Sequence, residues 1–358
     1  MRLLTALLFA ASAFAQTVPM GPVFPVSGGG GYLHHRSLTT DHTQAGASDS
    51  ANFPILVQTT LGSSRVQNAS CYDVIFTSDS GGTTRVPWEM ETCNQSTGAI
   101  VAWVNAGTLS HTTAVVFYVF YDNASISTAQ NTGSYAPTAV WDSYTSNVYH
   151  FPNGSTLSQL DSTGNANLSN CTNGASAAAG YIDGGAAFTA SPPTCTGSVS
   201  LNSTGDRTLS FWANITNCSS VAVPAYLSRA SSSDYLAIGC IGTAWIASAQ
   251  GVSVHSLQST VAPSSAWTHI AVTKTTGYIT KIYINGADVT TTASTFLGAG
   301  AVSTIFGASF SSGIMVAPIA GKLDEIQYAT TQRSADWELQ SYNNQKSGST
   351  FLTVGSEI

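Results

Sequence analysis

From Tyr32 onward, short apolar and aromatic runs alternate with clusters of Gly, Asn, Ser and Thr. Period-2 alternation between turn-forming clusters predicts β-strands. The first half offers six: YLHHRSLTTDHT from Tyr32, NFPILVQTTL from Asn52, CYDVIFTS from Cys71, RVPWEMETC from Arg85, AIVAWVNAG from Ala99 and TAVVFYVFYD from Thr113. In AIVAWVN, Ile100, Ala102 and Val104 share one face while Val101 and Trp103 share the other. Apolar groups on both faces suit a strand packed on two sides.

A second β region begins near Trp141 and runs through SNVYHF, GAAFTA, RTLSFWANIT, DYLAIGCIG, AWIASAQG, STIFGAS and GKLDEIQYA. Within it, WTHIAVTK and YITKIYI flank Thr275-Thr276-Gly277 as a hairpin, and Asn285-Gly286 marks the next tight turn. The one segment with a helical pattern is 334–344, where Ser334 can cap and Trp337 with Leu339 or Gln340 can make contact. The expected fold class is all-β, with two tandem β-sandwich domains, the second a jelly roll. The expected boundaries are a leader at 1–15, a Pro/Gly-rich linker at 16–31, a first sandwich at 32–137, a second at 138–345 and a tail at 346–358.

Composition narrows the function classes. The chain has 358 residues, 43% hydrophobic, but only 8% are charged, with a net charge of −7. No basic run exists, which argues against a nucleic-acid partner. Arg2, the apolar stretch Leu3 to Phe14 and Ala13-Phe14-Ala15 read as a secretory signal peptide with Gln16 as the mature N-terminus. No later run is long enough for a transmembrane helix. The expected location is secreted or extracellular. Six cysteines, Cys71, Cys93, Cys171, Cys195, Cys218 and Cys240, fit disulfides in such a compartment. Fifteen pairings exist, and spacing favours neighbours: 71 with 93, 171 with 195 and 218 with 240. If Phe76 lies opposite Trp88 in a hairpin, Cys71 lies opposite Cys93. The sequons at Asn68, Asn123, Asn153, Asn202 and Asn214 are compatible with export.

The second half carries a resemblance. AWTHIAVTKTTGYITKIYINGADV, followed by AGKLDEIQYATTQRSADWELQSYNN, resembles the C-terminal part of LamG-like modules of the concanavalin A-like lectin/glucanase superfamily. VYHF, DSTGNANLSN and RTLSFWANI are similar to earlier parts of the same module, so the resemblance spans about 140–345. The first half resembles an uncharacterised β domain that often precedes such modules in bacterial exported proteins. The resemblance implies binding or adhesion, with an extracellular polysaccharide or glycoconjugate as the partner. A glycoside hydrolase and a structural surface or matrix component are the alternatives. Ca²⁺ is the implied candidate cofactor. However, the segment GGAAFTASPPTC lacks the Asp that calcium-binding relatives carry there.

Candidate chemistry is sparse. Glu89 and Glu91 in PWEMET share one strand face. This is the spacing of a glycosidase carboxylate pair in outline, or simply a solvated face. Asp324 and Glu325 are adjacent, so a regular strand points them to opposite faces, with Ile326 and Tyr328 on Asp324's side. Asp324 is the candidate metal ligand, set against a frame role in which it accepts backbone N–H bonds. Trp212 and Tyr283 alternate with core-type neighbours and are the candidate ligand-stacking rings. His150 and His269 sit in strand motifs, where packing is the expected role. No catalytic residue is assigned.

Overall fold

Strand formation follows the apolar alternation. The computed structural model describes residues 30–358 apart from 173–174, 190–193, 198–205, 217, 219–221, 229–234, 243, 251–253, 276–277, 293–303, 307–308, 312–313 and 317–318. The signal segment, nearly all of the linker and two residues of the 275–277 loop lie outside the described residues.

The first sandwich packs two antiparallel sheets. One runs in the order Leu352–Val354, His34–Thr40, Val116–Tyr121, Ile75–Thr77; the other runs Pro54–Thr60, Ala99–Asn105, Trp88–Asn94. Leu38, Phe117 and Val119 of one sheet meet Ile55, Val57, Ala102 and Val104 of the other in a common core. The alternating residues Leu56 and Trp103 point outward, into a second cluster with Val140, Trp141, Val148 and Ile182. Those partners belong to the neck and the second sandwich, so the outer face of this sheet is an interdomain seam and not a solvent face.

The segment 346–358, expected as a tail, carries a strand. Leu352 to Val354 pair with Thr40 to Leu38 of the first sandwich, and Phe351 is fully buried there. A short Thr/Val/Leu run suffices because it adds to an existing edge and needs no partner of its own.

The second sandwich stacks two larger sheets around one apolar core. Its inner faces bring Leu209, Phe211, Ile282 and Ile284 against Leu236, Ile238 and Trp245. Thr268–Thr275 and Tyr278–Ile284 pair antiparallel, and Asn285-Gly286 turn with φ of 51° and 77°, as a type I′ hairpin turn requires. Three disulfides join Cys71–Cys93, Cys171–Cys195 and Cys218–Cys240, the nearest-neighbour pairing. The first is not a hairpin cross-link. Ile75–Thr77 and Trp88–Asn94 lie in different sheets, and Phe76 meets Trp88 across the core with ring centroids 6.1 Å apart.

The helix Ala335–Gln345 starts where Ser334 Oγ accepts from Trp337 N at 3.1 Å. It is wedged between the sandwiches. Trp337 joins the first core. Gln340 and Asn343 donate to the carbonyls of Ala45 and Gln44, and Gln345 accepts from the Trp212 indole. At the start of the helix, Arg333 grips Asp142 through two bonds of 2.7 Å and stacks 3.8 Å over Trp337.

Glu338 is a buried acid of this helix. Burial pushes its pKa up to about 8, with Arg333 pulling weakly the other way, and one carboxyl oxygen has no partner. A raised folded pKa means that the fold keeps a proton that the unfolded chain releases above its ordinary 4.5. The stability that depends on this proton is full below pH 4.5 and is lost as pH rises through about 8. Glu338→Gln removes that dependence. Urea unfolding of the variant at pH 5 and pH 8 should show it gaining on the parent by on the order of a few kcal/mol at the higher pH. An equal difference at both values contradicts the assignment.

Candidate functional site

The seam between the sandwiches holds the densest chemistry. Its geometry starts from two β-bulges. On the strand Gly321–Ala329, Ser210 pairs with Gln327 but Trp212 pairs with Asp324, which leaves an extra residue in the ladder. Glu325 takes φ 51°, a left-handed conformation that a Glu rarely adopts. Leu323 and Ile326 both point into the second core, so Asp324 and Glu325 both leave on the outer side. This corrects the expectation that they face opposite ways and that Asp324 shares a side with Ile326. The cause lies in the neighbouring edge. Gly184–Phe188 pairs with residues 321–323 and Thr145–Tyr149 pairs with 326–329. The bulge sits where one neighbour hands over to the other.

A second irregularity lies between Met90 and Thr92 of the first sandwich. Glu89 and Glu91 share the outer face as their spacing predicts, but that face meets the second sandwich and not water. The side chain of Glu89 is 15% exposed and that of Glu91 is 1% exposed.

Between these acids sits His150, 3% exposed, directly after the strand that ends at Tyr149. Its ring packs against the indoles of Trp103 and Trp141, at centroid distances of 5.3 and 5.5 Å, and the two indoles meet each other at 5.7 Å. Nδ1 is 2.9 and 2.8 Å from the two oxygens of Glu325 and 3.8 Å from Glu91. Nε2 is 3.6 Å from Glu89. The indoles orient the acids: Trp103 donates to Glu91 at 3.0 Å and Trp141 to Glu89 at 3.2 Å. Ser162 donates to Glu89 at 2.6 Å.

Burial opposes charge on His150, but the carboxylates of Glu325, Glu91 and Glu89 outweigh it and hold its pKa well above the ordinary value. Burial and the Glu325 charge push Glu91 up to about 8. Burial lifts Glu325 to about 7 against the pull of His150. Glu89 is held low, because His150, Ser162 and Trp141 overcome its burial. His150 is therefore the charge centre of the seam, which corrects its expected packing role. Its sequence signal, a His after an apolar strand, gave no indication of three acids from distant segments.

Asp324 performs the frame role. Its Oδ2 accepts from the backbone N–H of Tyr181 at 2.7 Å and of Ile182 at 3.0 Å, and its Oδ1 accepts from Glu325 N at 2.8 Å. Ca²⁺ requires six to eight oxygens with free lone pairs. A fully buried carboxylate carrying three N–H donors does not fit as such a ligand.

The two candidate stacking rings are not surface platforms. Trp212 is 1% exposed and Tyr283 is 4% exposed. Both point away from the inter-sheet core, as alternation predicts, but neighbouring segments cover them. Trp212 lies beneath Tyr181 at 3.5 Å between centroids and bonds Gln345. Burial lifts the Tyr283 hydroxyl to about 12, with Glu338 of the covering helix adding to the shift. His269 packs beside Trp212 and is kept neutral, its pKa lowered to about 3 by burial.

The ring that does reach a cavity is Tyr181. A cleft of about 380 Å³ opens along the seam, lined by Gln58, Tyr181, Asn344, Gln345, Lys346 and Ser347 among others. Tyr181 is backed by Trp212, and its hydroxyl accepts from Ser347 N at 2.7 Å. The sequence reading missed this cleft because its walls come from four separate segments.

Residues 183–337 match the model of the concanavalin A-like lectin/glucanases superfamily, Laminin_G_3. The second sandwich is a concanavalin A-like module. Among curated proteins none matches the chain. The module-bearing chain is similar to the binding domain of Paraclostridial Mosquitocidal Protein 1, at 13% identity and TM-score 0.44, over 56% of this chain and 52% of that one. It is similar to the receptor binding domain of botulinum neurotoxin D at 15% identity and TM-score 0.42, over 56% and 53%. A third similar structure is domain 4 of AbnA, a GH43 extracellular arabinanase from Geobacillus stearothermophilus, in complex with arabinotriose. There the identity is 17% and the TM-score 0.43, over 57% of this chain and 98% of that one. The chain spans about half the length of the first two. Among the described residues, no helix is long and apolar enough to cross a membrane.

Proposed function

We propose that the protein is an exported, non-catalytic binding protein. It recognises carbohydrate or a related extracellular polymer at the seam cleft beside its concanavalin A-like module. The observation that carries this reading is the lining of that cleft. The Tyr181 ring offers an apolar face held rigid by Trp212, and Gln58 and Lys346 bring polar groups to the same cleft. An aromatic face with amide donors and acceptors is the chemistry that binds a sugar ring. Three disulfides fit an extracellular protein.

The buried acids weigh against the hydrolase alternative. A retaining glycosidase needs two carboxyl groups open to the substrate, about 5 Å apart. Glu89 and Glu91 are instead tied to indole N–H groups and His150 inside the seam.

The test is retention on immobilised polysaccharides. Tyr181→Ala removes the stacking face, which costs about 1–2 kcal/mol, or roughly 5- to 30-fold in affinity. Gln58→Ala, at an exposed position whose amide reaches Ile182 O, should weaken binding by a smaller factor. Unchanged retention in both variants, or self-association without polymer binding, contradicts the reading.

A further inference from the structure

The seam cluster holds more carboxyl groups than its one imidazole can pair. Glu325, Glu91 and Glu89 all face His150, and Asp324 lies next to Glu325. The ligand-type atoms of Glu91, His150 and Glu325 lie within 4.8 Å of one another. Two buried atoms of the cluster have no hydrogen-bond partner: Glu91 Oε1 and His150 Nε2.

We propose that Glu91, His150 and Glu325 form a divalent transition-metal site of the zinc type, which clamps the two sandwiches together. The ligands come from both sides of the seam: Glu91 from the first sandwich, His150 and Glu325 from the second. Zinc with N and O ligands sits about 2.0–2.2 Å from each. A tetrahedral shell then spaces the ligand atoms by roughly 3.3 Å. The 2.8 Å from Nδ1 to Glu325 and the 3.8 Å from Nδ1 to Glu91 straddle that value. One imidazole among carboxylates favours zinc, cobalt or manganese over calcium or magnesium.

The surrounding residues fit the same role. Ligating histidines donate their second ring N–H to a carboxylate, which fixes the tautomer. Glu89, 3.6 Å from Nε2, stands in that position. Trp103 donates to Glu91 Oε2, the oxygen 3.8 Å from Nδ1, and leaves Oε1 without a partner. The left-handed turn at Glu325 aims its carboxylate squarely at Nδ1, with both oxygens within 2.9 Å. A cleft of about 260 Å³, lined by Tyr72, Met90 and Asn131 among others, reaches Glu89.

The test uses the full chain. After dialysis against EDTA, it is equilibrated with Zn²⁺ and, separately, Co²⁺, and the bound metal is counted by mass spectrometry. The expected result is about one ion per chain and a Tm rise of about 5 °C at saturating metal. The double variant Glu91→Gln, Glu325→Gln should lose that ion. His111→Ala, which removes an exposed imidazole beside Asp49, should keep it. X-ray absorption of the Zn²⁺-loaded parent needs no variant. It should show one imidazole in an oxygen/nitrogen shell at about 2.0–2.2 Å. A parent that takes up no ion, a double variant that binds as the parent does, or a shell without imidazole overturns the proposal.

Discussion

His150→Ala should destabilise the protein by about 4 kcal/mol, read as a lower urea midpoint in the presence of chelator. Removing one partner of a buried charge cluster costs about 3–5 kcal/mol, because the remaining charges stay buried and unbalanced. Here the carboxyl groups of Glu325, Glu91 and Glu89 would lose the imidazole that they face. The substitution also empties the space beside the Trp103 and Trp141 rings, which adds a cavity term. His150→Gln refills the space without the charge and should recover only part of the loss. The change should act on the joint between the sandwiches, since Glu89 and Glu91 belong to one and Glu325 to the other. A loss under about 1 kcal/mol would contradict the role of His150 as the charge centre of the seam.

Asp324→Ala should cost about 3–5 kcal/mol by the same measurement. It orphans three backbone N–H groups, those of Tyr181, Ile182 and Glu325, in a dry environment. Each buried unsatisfied donor costs about 1–3 kcal/mol. Asp324→Asn keeps one acceptor oxygen and should lose less. Asp324 also positions Tyr181, so the Ala variant should weaken polymer retention even where it remains folded. A variant with parental stability would show that the three amides find other partners and that the carboxylate is not the frame element.

The frame was readable in the sequence wherever local rules governed it. Alternation located the strands, Asn285-Gly286 marked its turn, Ser334 its helix cap, and spacing the three disulfides. Alternation also turned Trp212 and Tyr283 away from the inter-sheet core. What it could not supply was the next layer. Tyr181 covers Trp212, and the helix packs over Tyr283 from more than 50 residues away. Asp324 and Glu325 were misplaced for a related reason. The bulge arises because two strands share one edge of Gly321–Ala329, and no local pattern encodes that handover. Glu89 and Glu91 were put on the correct face, but that face belongs to the seam. The tail strand Leu352–Val354 is three residues long, too short for periodicity to register.

In the proposed function the seam cleft binds polymer while the buried acids hold the domains together. A glycan array probed with the parent, Tyr181→Ala and Glu89→Gln tests it most directly. Saccharide signal from the parent, retained in Glu89→Gln and reduced about fivefold or more in Tyr181→Ala, is the predicted result. Signal from none of the three, or spots consumed by the parent and spared by Glu89→Gln, would contradict it.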